Sequence, residues 1–291
     1  MFAGVYTALV TPFNADGSID ESALRNLVDA QIDAGIDGIV PMGTTGESPT
    51  VTHEENIRVI EIVAEQAAGR TSIIAGTGSN STAEAVRMTQ LAKEVGATAT
   101  LQVTPYYNKP TQEGLYSHFT TVADSTDLPV VVYNIPGRTA RNVENETMLR
   151  LATHENIVAV KEASGSMAQV MELIAVRPSG FDLLSGDDNL TLPILALGGE
   201  GVVSVASNIA PRLMIRLVTA AREGRLEDAR NLHYRLLPLF KGVFLQTNPI
   251  PIKYALAAKG MITESYRLPL CALDETDKRK VDAILEQVRP E

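Results

Sequence analysis

The chain has 291 residues, 45% hydrophobic and 21% charged, enough apolar material for a sizeable core, which excludes global disorder. With 25 Lys+Arg against 35 Asp+Glu the net charge is −10, and no basic block offsets it, which argues against nucleic acid or an anionic membrane as partner. Cys271 is the only cysteine, so no intrachain disulfide can form, and no apolar run approaches the roughly 18 residues of a membrane span; a cytoplasmic location is expected.

The first stretch, "MFAGVYTALVTPF", lacks the basic region of a signal peptide and runs straight into a strand pattern at 5–12. Seven more strand patterns follow, at 38–43, 72–78, 99–107, 128–134, 157–163, 181–186 and 201–208. Amphipathic helical patterns separate them. Residues 20–35 place Leu24, Leu27, Val28 and Ile32 on one face and stop at Gly35. Residues 52–69 open with Thr52 and Glu55 in capping-box spacing and close at Gly69, and 81–96 repeat the spacing with Ser81, Glu84 and Gly96.

Eight strand–helix units without a linker predict a closed (β/α)8 TIM barrel. An open doubly wound sheet is the alternative, but "GTGSNS" (76–81) has Ser81 where a dinucleotide fingerprint needs its third glycine. The predicted parts are a barrel over 1–222 and a C-terminal helical extension over 223–291, packed on it. In "LPLCAL", Cys271 reads as a small buried hydrophobe, and "NPIPIKYALAAKG" as a proline-initiated helix.

Catalytic groups in such barrels sit at the C-terminal ends of the strands. Here those ends carry Thr11, "GTTGES" (43–48), "GTG" (76–78), "TPYY" (104–107), Tyr133-Asn134, Lys161-Glu162, "SGDD" (185–188) and Ser204. Lys161 ends an apolar, mostly β-branched strand. It either snorkels to solvent or pairs with Glu162, or it is a desolvated amine of lowered pKa that can attack a ketone to form a Schiff base. Val158 and Val160 would then help to keep that amine dry. Tyr133, one strand earlier, is a suitable proton shuttle, with Thr44 and Tyr107 as relay partners; each tyrosine could equally be packing. "GTTGES" could cradle a carboxylate on backbone N–H groups or be an ordinary loop, and Arg138 could clamp a second carboxylate or lie in solvent. His53, His118, His154 and His233 lack metal-ligand spacing, and Asp187-Asp188 read as capping or solvated loop residues, so no metal is expected.

"GTTGES", "TPYYNKPTQEG", "YNIPGRT", "KEASG", "SGDD" and "NPIPIK", in this order, closely resemble the 4-hydroxy-tetrahydrodipicolinate (dihydrodipicolinate) synthase family, across nearly the whole chain. The wider pyruvate-dependent class I aldolases, N-acetylneuraminate lyase among them, share the lysine and the tyrosine, whereas the arginine of "PGRT" and the "TPYYNKP" run fit the synthases better. The resemblance implies a lyase that condenses pyruvate with L-aspartate 4-semialdehyde on the route to diaminopimelate and lysine. It needs no cofactor beyond a Schiff base between pyruvate and Lys161. It further implies that Tyr133 relays protons with Thr44 and Tyr107, the last reaching into a neighbouring subunit of a homotetramer. Thr45, Gly186 and Val203 would line the pyruvate site, and Arg138 would bind the semialdehyde carboxylate. Ser48, Pro49, His53, Asn80, Glu84 and Tyr106 match an allosteric site for L-lysine, although Pro49 and Asn56 depart from the usual alanine and histidine there. A non-catalytic pyruvate- or lysine-binding relative is the remaining alternative, and the presence of all five residues Lys161, Tyr133, Thr44, Tyr107 and Arg138 argues against it.

Overall fold

A computed structural model describes residues 2–290; Met1 and Glu291, the outer bounds of the two predicted parts, lie outside the described residues. Eight parallel strands close into one barrel in chain order: β1 Gly4–Ala8, β2 Gly38–Val40, β3 Ser72–Gly76, β4 Ala99–Val103, β5 Val130–Asn134, β6 Ile157–Glu162, β7 Asp182–Ser185 and β8 Gly201–Ser204. β8 returns to pair with β1, which removes both sheet edges and rules out the open sheet. Every strand but β5, which ends at Asn134 as its pattern does, is shorter at its C-terminal end than its sequence pattern. β1 stops at Ala8 rather than 12 and β2 at Val40 rather than 43. The chain leaves the ladder there to form tight turns such as Thr44–Gly46 and Ala206–Asn208, so the rim consists of turns rather than strand ends.

Local signals set the helix starts. The Asp20 side chain accepts from Ala23 N at 2.9 Å and begins the helix Glu21–Ala34, which ends at left-handed Gly35. Thr52 and Glu55 complete a capping box on His53–Ala67, but Ala68, one residue before the predicted Gly69, takes the left-handed cap. The helix Thr82–Glu94 has half a box. Ser81 accepts from Glu84 N, while the Glu84 carboxylate turns away to Ser79 and His53.

Side-chain alternation divides the barrel's contents. Ala8, Val40, Leu101, Val131, Tyr133, Ala159 and Leu184 meet inside it, whereas Val130, Val132 and Val160 pack outward against the helices. Three helices follow the barrel, Leu226–Gly242, Ile250–Ala258 and Glu275–Val288. Their Phe240, Ile252 and Leu285 belong to the same apolar cluster as Leu9, Leu24 and Ile60, so they share the barrel's core rather than build their own. Cys271 is exposed, contrary to the sequence reading; its "LPLCAL" segment crosses the surface without helix or strand periodicity, and Leu268 is exposed with it. Among the described residues no helix is long and apolar enough to cross a membrane.

Candidate active site

Lys161 is aligned with Tyr133 on β5 and Leu184 on β7, and its side chain points into the barrel. Glu162, the pairing partner that the sequence offered, faces the opposite way. Its carboxylate accepts from Asn134 Nδ2 (3.1 Å) and Ser164 N (2.6 Å), as strand alternation requires. Lys161 is 6% exposed and has no ion-pair partner among the described residues. Its Nζ lies 3.9 Å from the centre of the Tyr133 ring. Burial lowers its pKa to about 8, against the upward pull of Asp187 and Asp188. Val160 takes no part in drying this amine, because it sits in the outer layer; Ala159, Leu184 and the Tyr133 ring do so from within.

Burial pushes the Tyr133 phenol upward, so it holds its proton at neutral pH, and the Thr44 side chain, which lines the same cavity, pulls it back slightly. Thr45 is buried beside Thr44, its Oγ1 accepting from Asn248 Nδ2 at 3.0 Å. Asn248 also offers its carbonyl to Arg138 Nη2 at 3.4 Å, so the C-terminal segment links the two proposed carboxylate binders. Nothing in the sequence near Asn248 signalled this contact. Gly186 is glycine for a local reason. A Cβ there would come within 2.7 Å of the Ala163 Cβ and 3.2 Å of both the Glu162 carbonyl and Lys161 Cε, crowding the amine. Val203 lies in β8 within the barrel interior but does not line the small cavity that holds Lys161, Thr44, Thr45, Tyr133, Arg138, Gly186 and Asp187.

Of the two roles the sequence offered the aspartates, capping or a solvated loop, Asp188 takes the first. Asp188 is buried and its Oδ2 accepts from Val205 N (3.1 Å) and Ala206 N (2.9 Å), which caps the turn after β8. Asp187 faces Lys161, and burial raises its pKa while Lys161 and Arg138 lower it. Tyr107 does not join Tyr133 and Thr44. It is 90% exposed at the tip of the loop after β4, with φ of 70°.

A second, larger cavity of about 440 Å³ opens beside the first and shares Thr44, Tyr133 and Arg138 with it. Ser48, Pro49, His53, Asn56, Glu84 and Tyr106 line its outer half. There His53 Nε2 meets a Glu84 carboxylate oxygen whose partner accepts from Ser79 Oγ at 2.9 Å. Asn80 stands behind this wall, its Nδ2 donating to the Tyr106 carbonyl at 3.1 Å.

The model of the dihydrodipicolinate synthetase family matches residues 1–288. The chain belongs to that family. It is 52% identical over 286 residues to the 4-hydroxy-tetrahydrodipicolinate synthase of Syntrophus aciditrophicus, with 98% of each chain covered. The dihydrodipicolinate synthase of Aquifex aeolicus superposes with a TM-score of 0.97 at 49% identity, covering 99% of both chains. The enzyme from Cyanidioschyzon merolae, solved with lysine bound, gives 0.97 at 41% identity over 100% of this chain and 99% of that one. The chain is thus a lyase of this family, and its reaction is the condensation of pyruvate with L-aspartate 4-semialdehyde in diaminopimelate and lysine biosynthesis.

Proposed function

We propose that this condensation runs through a Schiff base on Lys161. The observation that carries the reading is a buried lysine without an ion-pair partner among the described residues, its amine 3.9 Å over the Tyr133 ring. The free amine attacks the pyruvate ketone, and Tyr133 supplies the proton with which the carbinolamine loses water. The resulting iminium draws electrons from the methyl carbon, so the step needs no metal or cofactor. Loss of a methyl proton gives an enamine, whose carbon adds to the aldehyde of the semialdehyde. The semialdehyde's own amine then displaces Lys161, closing the ring and freeing the enzyme.

Thr44 passes protons between Tyr133 and solvent, Thr45 and the backbone at Gly186 hold pyruvate in the small cavity with Val203 behind it in β8, and Arg138 binds the second carboxylate. Tyr107 completes the relay in a neighbouring copy, which its exposure at a loop tip permits, within a homotetramer. The barrel (1–222) carries the chemistry, and the helical extension (223–291) backs it through Asn248. L-Lysine binds in the outer cavity, where Glu84 takes its α-amino group; calorimetry showing no lysine binding would remove this part. A single cysteine and a biosynthetic reaction on small anions suit a cytoplasmic enzyme.

Borohydride reduction in the presence of pyruvate, followed by mass spectrometry, should place the adduct on Lys161; no adduct, or one elsewhere, defeats the mechanism. Arg138→Ala should still be trapped but should lose condensation with the semialdehyde. An adduct without any reaction with the semialdehyde would indicate a different acceptor aldehyde.

A further inference from the structure

Glu47 and Lys253 lie 206 positions apart, form an ion pair and are both fully buried. Lys253 Nζ also lies 4.3 Å from the centre of the Phe13 ring and 5.3 Å from that of Tyr266, and the second Glu47 oxygen accepts from Arg267 N at 3.3 Å. Apolar side chains of similar volume would commonly give such a site equal or greater stability, so stability alone is a poor reason for the pair.

Its location offers a better one. Glu47 is the single residue between the turn Thr44–Gly46 and the turn Ser48–Thr50, and it adopts the left-handed conformation with φ 56° and ψ 35°. A glutamate seldom adopts that backbone without support. Its N–H donates to the Thr44 carbonyl (3.1 Å) and its carbonyl accepts from Thr50 N (2.9 Å), so both turns hinge on it. Upstream, Thr11 Oγ1 donates to the Gly46 carbonyl at 2.7 Å and holds the turn against the barrel. The hydroxyls that reach Tyr133 and Asn248 belong to Thr44 and Thr45, three and two residues before Glu47. Lys253 sits on the helix Ile250–Ala258, which begins two residues after Asn248, so one segment grips the turn at both Thr45 and Glu47.

We propose that the Glu47–Lys253 pair is a positioning element for the condensation, fixing the Gly43–Glu47 turn from behind so that Thr44 meets Tyr133 and Thr45 meets the pyruvate carboxylate. The proposal rests on the roles given above to Thr44 and Thr45. Neither Glu47 nor Lys253 touches the reacting atoms; both act through the turn.

The test uses Glu47→Gln, Lys253→Met and the double variant in the full-length enzyme, with kcat, pyruvate KM and melting temperature measured on each. Each single variant should melt earlier and lose about tenfold in kcat, because a small displacement of a proton relay is costly. The double variant leaves no charge alone and should regain most of its melting temperature, while kcat stays about tenfold low and pyruvate KM about tenfold high. Recovery of kcat and KM together with melting temperature would overturn the proposal. So would single variants with unchanged kcat, and so would a double variant that fails to fold, which would make the pair a folding element. Borohydride trapping of the unaltered enzyme is run alongside. An adduct missing from Lys161 there would strike the Schiff-base reading itself, so the two failures are told apart.

Discussion

Lys161 and Lys253 are both buried, one inside the barrel and the other between its rim and the C-terminal helices, yet their surroundings differ in one respect. Both amines lie over aromatic rings, but Lys253 has a carboxylate against its amine, whereas Lys161 has carboxylates only further off. A desolvated ammonium either finds an anion or gives up its proton. The first course yields a clamp and the second a nucleophile. Burial alone therefore does not mark a reactive lysine, whereas burial without a partner does.

Replacing Lys161 with methionine separates the two most sharply. Lys161→Met should abolish the pyruvate adduct and lower kcat by at least about 10³-fold, since no other residue can form the imine. The same variant should be more stable than the parent at neutral pH, because an unpaired buried amine is a cost that methionine does not carry. A stable variant with residual trapping at another lysine would break the comparison. Lys253→Met should do the reverse to stability. It strands the buried Glu47 carboxylate and should cost about 3–5 kcal/mol in denaturant unfolding, an effect far beyond ordinary surface substitutions.

Much of this was legible from sequence. The eight strand patterns and their polar ends placed Lys161 and Tyr133 on adjacent strands, because a strand's apolar run is a local signal. The same local signal misled at the rim, where apolar residues such as Leu9, Val10 and Met42 continue the pattern after the chain has left the ladder. The Glu47–Lys253 contact could not be read at all. Lys253 lay within "NPIPIK", a motif of the resemblance read otherwise only as the start of a helix, and its partner is brought to it only when the turn after β2 and the C-terminal helices pack together. Asn248 was hidden for the same reason. Of the two readings of Glu84 the capping box failed, because that spacing is permissive and the cavity wall, where the other reading put it, competes for the side chain.

The pH dependence sharpens the comparison next. The Lys161 pKa is lowered from 10.5 to about 8, so the unfolded chain binds the proton more tightly than the folded one. Below about pH 8 both states are protonated and the folded state bears the full desolvation cost, on the order of 3 kcal/mol. Between about pH 8 and 10.5 the unfolded chain holds more protons, so this contribution to stability rises with pH and the cost disappears. The stability advantage of Lys161→Met over the parent should therefore be largest near pH 7 and shrink by about pH 10, as urea unfolding at the two pH values would show. The trapping rate in the parent should rise about tenfold per pH unit below 8 and level off above it, following the free amine. A flat profile would mean that the amine is not the titrating group.

The smallest effect comes from a lysine that is paired but not buried. Lys93 Nζ lies 2.6 Å from Asp127, a contact about as short as that of many buried pairs, but its side chain is 49% exposed and that of Asp127 75%. Water already solvates both charges, so removing one strands nothing, and the pair must also offset the entropy of fixing a long side chain. Lys93→Met should thus change unfolding free energy by less than about 1 kcal/mol, and salt should shrink even that. Lys253→Met removes the same kind of contact, so the gap between the two measurements isolates what burial adds to pairing. A Lys93 effect as large as that of Lys253 would show that the contact itself, rather than the stranded charge, carries the energy, and the division between clamp and nucleophile would lose its physical basis.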